Sequence, residues 1–288
     1  YTNVWICKDE RGHIQATALD AKRRKQYIYH PRWREVRDGV KFESITQFAE
    51  VLPVLRERVQ LDLKGDDLSR KRMVAALVRL LDKTLIRVGN ETYAKENGSY
   101  GLTTLRKKHV NVDKGEVEFA FKGKSGQHHT ISLQDKGLIK IIKACQDLPG
   151  YELFKYVDDD GKVSSLGSAD VNAYLQEVTE HPFTAKDFRT WAATVSAAEQ
   201  LGNTECPEKE PERKQCIAKA VKDVAKRLGN TPAVCRKSYI HPRILEGFLE
   251  GTFSKDYDKS LKKAKRTTTF LSKEERATLH FLSARTSK

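Results

Sequence analysis

The 288-residue chain carries 53 Lys and Arg against 39 Asp and Glu, a formal charge of +14. It is long enough for one large domain, or a large one with a smaller one, and such a surplus favours a polyanionic partner, because neutralised phosphates release condensed counterions. Apolar runs too short for a bilayer, no signal-like segment and five cysteines without CxxC spacing argue against a membrane protein, a secreted scaffold and a zinc framework, so a soluble, cytoplasmic protein with free thiols is expected.

Asn3–Cys7 and Gly12–Ala18 read as strands joined by a turn at Asp9–Gly12. The chain begins at Tyr1 without an initiator Met, which reads as a piece of a longer protein. The segment KRRKQYIYHPRWR (22–34) interleaves cations with Tyr27, Tyr29 and Trp33. Phosphates suit the charges and bases or sugars suit the rings, although an edge strand with snorkelling Lys and Arg stems would look the same. From about residue 43, the spacing of Ile45, Phe48, Ala49, Leu52 and Leu55 predicts a helix that Pro53 should interrupt or kink. Asp66 or Asp67 has the chemistry to cap a longer helix carrying Leu68, Met73, Ala76, Leu77, Leu80, Leu81 and Thr84 as a core face.

Alternation at Val117, Phe119 and Phe121 predicts a half-buried strand between one near Lys108–Val112 and another at His128–Leu133. Turns at Asp113–Gly115 and Gly123–Gly126 would make a three-stranded antiparallel meander with Lys124 at an exposed hairpin tip. Helices follow at about 134–147, 168–179, 184–200, 209–228 and 241–250. The polar, Pro-bearing stretch Gly202–Pro211 reads as an exposed, mobile loop. From Gly251 to Thr269 the tail is dominated by Lys, Asp, Ser and Thr. Ser272 and Glu275 then form a capping box for a last short helix with Leu279 and Leu282 inside.

Gly123-Lys124-Ser125 looks like the end of a phosphate-binding loop, but the position for its first glycine is Glu118, and the lysine follows a strand without opening a helix. The histidines lack metal-ligand spacing. Four other residues stand out together: Arg87 in LIRVGN, Lys124 in the hairpin turn, Arg189 in TAKDFRTWAA and Tyr239 closing LGNTPAVCRKSYIHP. Taken singly, each has a plain structural reading: a cation answering a helix dipole, a solvated turn residue or a packed aromatic ring.

Taken in order, IRVGN-x-x-Y, YGLTTLRKKHV, FKGKSG, KDFRTW and LGNTPAVCRKSYIHP, preceded by RGHIQATALDAKRRKQYIYHPRWR, resemble the type IB DNA topoisomerases of the compact bacterial and poxvirus kind. The resemblance runs from about Trp5 to Pro242. It implies that Tyr239 attacks a DNA phosphodiester to give a 3′-phosphotyrosyl enzyme and a free 5′-hydroxyl. Arg87 and Arg189 would hold the non-bridging oxygens, and Lys124, with Arg87, would protonate the departing 5′-oxygen. Those roles fit phosphoryl transfer, which needs positioning and charge stabilisation above all. A phenol is a poor nucleophile near neutral pH, and a cationic surround lowers the cost of the phenolate. Asn230 stands where poxvirus members have the histidine of Gly-His-Thr-Pro; it can donate a hydrogen bond to a phosphate oxygen but cannot exchange a proton, and the donor role is expected of it. Gln26, Tyr27 and Tyr29 match a DNA-facing segment of the family's first domain, Tyr93 matches a DNA-facing tyrosine near the first arginine, and Lys186 is expected at the DNA as well.

The expected fold class is α+β. Residues 1–40 would be the C-terminal part of a small β-rich DNA-clamping domain, and 41–288 a mostly helical catalytic domain with a three-stranded antiparallel sheet and a basic tail at 251–288 ending in a helix. The expected function is relaxation of supercoiled double-stranded DNA by a monomer, without cofactor, ATP or metal. A site-specific tyrosine recombinase shares the Arg, Lys, Arg and Tyr chemistry but usually has histidine three residues before the second arginine, where this chain has Lys186. A DNA-binding protein with a dead centre is the remaining alternative, and the intact Arg87, Lys124, Arg189 and Tyr239 argue against it.

Overall fold

The computed structural model describes residues 1–21, 23–264 and 270–284; Lys22 of the basic segment and positions 265–269 of the tail lie outside the described residues. The chain divides into two compact units, Tyr1–Gln47 and Phe48–Lys288. In the first, β1 (Thr2–Ile6), β2 (Ile14–Leu19) and β3 (Lys25–Tyr29) form an antiparallel sheet in chain order. Asp9 makes the first turn, its carbonyl accepting from Gly12 N at 3.0 Å and its carboxylate from Arg11 N at 2.9 Å.

Helix α1 (Pro31–Asp62) starts a dozen residues before the apolar spacing that predicts it, and the boundary between the units falls inside it. Pro31 suits a first helical position, where its missing N–H is no loss. His30 Nδ1 accepts from Arg32 N at 3.1 Å. Little of RWREVRDGVK is apolar, so periodicity could not reveal the first turns. Of the two outcomes expected at Pro53, interruption does not occur: α1 runs through it. Proline removes one intrahelical bond, and the buried Phe48, Ala49, Leu52, Leu55 and Val59 hold the helix on both sides of it.

In the second unit α2 (Arg70–Thr84) is the central helix, with Met73 to Val78, Leu80 and Leu81 all buried. Its apolar face packs into the core, while Lys71, Arg79, Asp82 and Lys83 line the other side. Its N-cap position is Ser69, not Asp66 or Asp67, and Leu68 precedes it. The two carboxylates are committed elsewhere: Asp67 accepts from Ser69 N at 3.0 Å, and Asp66 pairs with Lys140 at 2.6 Å. After α3 (Glu91–Asn97) come β4 (Val110–Asp113), β5 (Glu116–Lys122) and β6 (His128–Leu133). They form the expected meander, with Val117, Phe119 and Phe121 turned inward and register Val112↔Val117 and Phe119↔Ile131.

The helical part comprises α4 (Lys136–Asp147), α5 (Ser168–Thr179), α6 (Ala185–Gly202), α7 (Glu210–Leu228), α8 (Pro232–Ser238), α9 (Pro242–Glu250), α10 (Phe253–Lys263) and α11 (Lys273–Ser283). Between α4 and α5 lies a hairpin of β7 (Lys155–Val157) and β8 (Val163–Ser165) that was not expected. Helix α10 occupies the tail, where a polar composition hid it. Its buried Phe253, Tyr257 and Ser260 recur at helical spacing, and Phe253 meets Phe281 of α11 edge-on at 4.9 Å. The stretch after α6 is tied down, since Arg213 donates to Pro207 O at 3.2 Å and Glu208 O at 2.9 Å. No described helix is long and apolar enough to cross a membrane.

The capping box at α11 is present, and its glutamate does more than cap. Glu275 accepts from Ser272 N at 2.7 Å, Arg56 Nη1 at 2.8 Å and Trp191 Nε1 at 3.2 Å, while Arg56 also forks onto Asp82 with two bonds of 2.8 Å. Burial alone would lower the Arg56 pKa, but bonding to Glu275 and Asp82 carries it above the ordinary guanidinium range. Breaking a buried pair strands its partners, and a side chain still 21% exposed recovers part of that from solvent. Arg56→Ala is therefore expected to cost roughly 2–4 kcal/mol, read from the urea midpoint at unchanged slope. A loss below about 0.5 kcal/mol would mean that apolar packing alone docks α11.

Candidate active site

Of the predicted catalytic residues, Arg87, Lys124, Asn230 and Tyr239 sit where an element ends, and Arg189 lies within a helix. Leu85 closes α2 in the left-handed conformation, φ 58°, and turns the chain into the Arg87 segment. That segment is clamped: Leu102 N donates to Arg87 O at 2.9 Å and Thr103 N to Val88 O at 2.7 Å. The approach is close enough that a Cβ at Gly101 would lie 2.5 Å from Arg87 O, which is why glycine stands there. Arg87 Nη2 then donates to Gly229 O at 3.2 Å and to Asn230 Oδ1 at 2.7 Å.

Arg189 comes from the second turn of α6, whose start is fixed by Thr184, with Asp187 accepting from Thr184 N at 2.8 Å. It is 5% exposed. Its guanidinium donates to Leu85 O, near the C-terminal end of α2, and to Leu228 O at 2.6 Å, at the end of α7. The negative ends of two helices thus meet a buried cation. Burial, followed by the like charge of Arg87, brings the Arg189 pKa down to about 10, with Tyr239 acting in the other direction. Arg87 is lowered too, by burial. Among the described residues neither guanidinium has a carboxylate partner.

Tyr239 terminates α8, which opens at the Thr231 cap with Pro232 in its first turn. The Tyr239 carbonyl accepts from Thr194 Oγ1 at 3.2 Å, and that hydroxyl accepts from His241 N at 3.1 Å. Thr194 is fully buried on α6, five residues beyond Arg189. One helix therefore supplies a cation and pins the tyrosine, whose ring lies 5.7 Å from the Arg189 guanidinium carbon.

Lys124 opens the tight turn between β5 and β6 and lines one cavity with Arg87, His129 and Arg189, and a second with Arg87, Asn90, Tyr93 and Tyr100. Arg87, Lys124, Arg189, Asn230 and Tyr239 are thus brought together. Of the expected DNA contacts, Tyr93 lies beside Arg87 and Lys124 and is 44% exposed. Lys186 is exposed on the first turn of α6 and does not line these cavities. In the first unit, Tyr27 and Tyr29 stack on one face of β3, centroids 6.1 Å apart, with Lys25 over Tyr27 at 5.5 Å. Strand alternation puts Gln26 on the opposite face, where Nε2 donates to Asp20 at 2.9 Å.

Sequence reasoning missed Thr194 and His129. Nothing in TWAATVSAA distinguishes the threonine that anchors Tyr239. For His129, the alternation of β6 already offered a signal, since one of two adjacent histidines must face inward.

Asn230 has an unambiguous orientation. Arginine only donates, so the atom facing Arg87 is Oδ1, which turns Nδ2 away. Asn230 Nδ2 and Arg189 Nε are buried donors with no partner among the described residues. Buried polar groups are nearly always satisfied, and donors left over beside two guanidinium groups have the chemistry to take an anion.

Residues 30–268 match the family model described as the catalytic core of eukaryotic DNA topoisomerase I. The chain is 35% identical over 253 residues to DNA topoisomerase 1B of Acanthamoeba polyphaga mimivirus, covering 85% of this chain and 75% of that protein. It is 23% identical over 255 residues to DNA topoisomerase 1B of Vaccinia virus (strain Copenhagen), covering 88% and 77%. The mitochondrial DNA topoisomerase I of Rattus norvegicus is 30% identical over 172 residues, 57% of this chain and 28% of the rat protein. The chain belongs to the type IB DNA topoisomerases, of the poxvirus-like kind.

Proposed function

We propose that this isomerase relaxes supercoiled duplex DNA by cutting one strand through Tyr239, letting the free end rotate and resealing it, with neither ATP nor a divalent metal. The observation that carries the reading is the pair of orphaned buried donors, Asn230 Nδ2 and Arg189 Nε, beside two guanidinium groups without carboxylate partners. A phosphodiester supplies the oxygens these donors lack. Tyr239 Oη forms the new bond to phosphorus and releases its proton to solvent. The P–O5′ bond breaks, and the 5′-oxygen keeps the electron pair and takes a proton from Lys124. Arg87, Arg189 and Asn230 hold the non-bridging oxygens as charge develops on them. Three cationic side chains supply the neutralisation that a metal ion gives in other phosphoryl transferases. The phosphotyrosyl ester retains the energy of the broken bond, so resealing is the same step reversed.

One compact unit contributes all five groups, which supports a monomer as the acting species. Residues 1–40 are assigned to the C-terminal part of a DNA clamp and 41–288 to the catalytic domain. The stacked Tyr27 and Tyr29 with Lys25 offer rings and charge to a duplex. Tyr93 and Lys186 are assigned to duplex contact as well; Gln26, expected there too, lies on the other face of β3 and supports the strand through Asp20.

Relaxation of negatively supercoiled plasmid in EDTA without ATP tests the mechanism. The wild-type chain is expected to relax it and to remain covalently attached to the 3′ end of a suicide substrate. Tyr239→Phe should lose at least about 10⁴-fold; equal relaxation by the mutant would mean a different nucleophile. For Asn230, the donor role predicts a cleavage rate roughly 10²–10³-fold lower in Asn230→Ala, with Asn230→His staying within about tenfold of wild type. A neutral outcome for Asn230→Ala would remove Asn230 from the site.

A further inference from the structure

His129 lies between the Lys124 hairpin and the Asn230 turn, and the mechanism above gives it no part. It is the second residue of β6, in register with Phe121, and its ring stacks on that phenyl with centroids 5.2 Å apart and planes at 23°. The other edges of the imidazole meet two glycines. A Cβ at Gly123 would lie 2.6 Å from His129 Cδ2, and one at Gly229 would lie 2.5 Å from Cε1. Real side chains do not approach so closely, so the ring fills the gap between the residue before Lys124 and the residue before Asn230. Burial first, then the charges of Arg87, Arg189 and His128, lower the imidazole pKa, so the ring adds no charge beside Arg87 and Arg189.

We propose that His129 is a positioning residue for strand cleavage, its ring setting the separation of the hairpin that carries Lys124 from the turn that carries Asn230. This rests on the reading of Lys124 as the acid that protonates the 5′-oxygen. A hairpin shifted by about 1 Å costs on the order of 10²-fold in such a step. The bland alternative is that His129 only packs the meander. The two differ in what a better leaving group does. A 5′-thiolate departs without a proton, so a defect transmitted through Lys124 disappears when sulfur replaces the bridging 5′-oxygen, whereas a general loss of site structure persists.

The test is single-turnover cleavage of suicide duplexes with bridging 5′-oxygen or 5′-sulfur by the full chain, as wild type, Lys124→Ala, His129→Ala and His129→Phe. His129→Ala is expected to cleave the oxygen substrate roughly 10²-fold slower than wild type. On the sulfur substrate it should come within about threefold, in parallel with Lys124→Ala. His129→Phe keeps a planar ring in the gap and should lose less; it is read on the same two substrates if circular dichroism finds His129→Ala unfolded. Rescue of Lys124→Ala without rescue of the His129 variants overturns the positioning role. Failure to rescue Lys124→Ala overturns the assignment of Lys124 and this inference with it.

Discussion

A buried and a half-buried arginine with no acid between them, among the described residues, are the constraint on which the site depends. Arg87 and Arg189 repel, and burial strips each of water, so an apolar cavity would not hold them together. Helix ends make the arrangement possible. Leu85 O near the end of α2, and Leu228 O and Gly229 O at the end of α7, are carbonyls left over when a helix stops, and the guanidinium groups take all three. Neutral dipoles satisfy the hydrogen bonds while leaving the positive charge uncancelled. A carboxylate there would cancel that charge and compete with any anion for it.

The same economy extends to Tyr239. Helix α6 brings Arg189 in from its second turn and, five residues on, uses Thr194 to hold the Tyr239 carbonyl and the His241 amide. Displacement of α6 would therefore disturb a cation and the tyrosine together. Its far face is secured by Trp191, whose indole donates to Glu275 of α11, and Glu275 is fixed in turn by Arg56. The C-terminal helix thus reaches the site through a chain of packed and hydrogen-bonded residues.

Much of the fold was legible because its signals are local. Alternation at Val117, Phe119 and Phe121, the turn residues on either side, and the capping box of Ser272 and Glu275 need only near neighbours. Where the reading failed, a competing partner had decided. Asp67 did not cap α2 because its carboxylate took the nearby Ser69 amide, while Asp66 took the distant Lys140. Helix α10 escaped notice because its buried face is only Phe253, Tyr257 and Ser260, given meaning by Phe281 of a later helix.

By itself the sequence determined the α+β class, the meander and the identity of the groups able to handle a phosphate, because residue type and spacing fix what a side chain can donate and which face it takes. Only the tertiary structure decided their arrangement. That Arg87 faces Asn230 Oδ1 and so leaves Nδ2 free, that Thr194 holds Tyr239, and that His129 fills the space between Gly123 and Gly229 all depend on contacts between elements far apart in the chain. Such contacts leave no periodic trace in the sequence, since each is a single meeting of two side chains or of a side chain with a backbone.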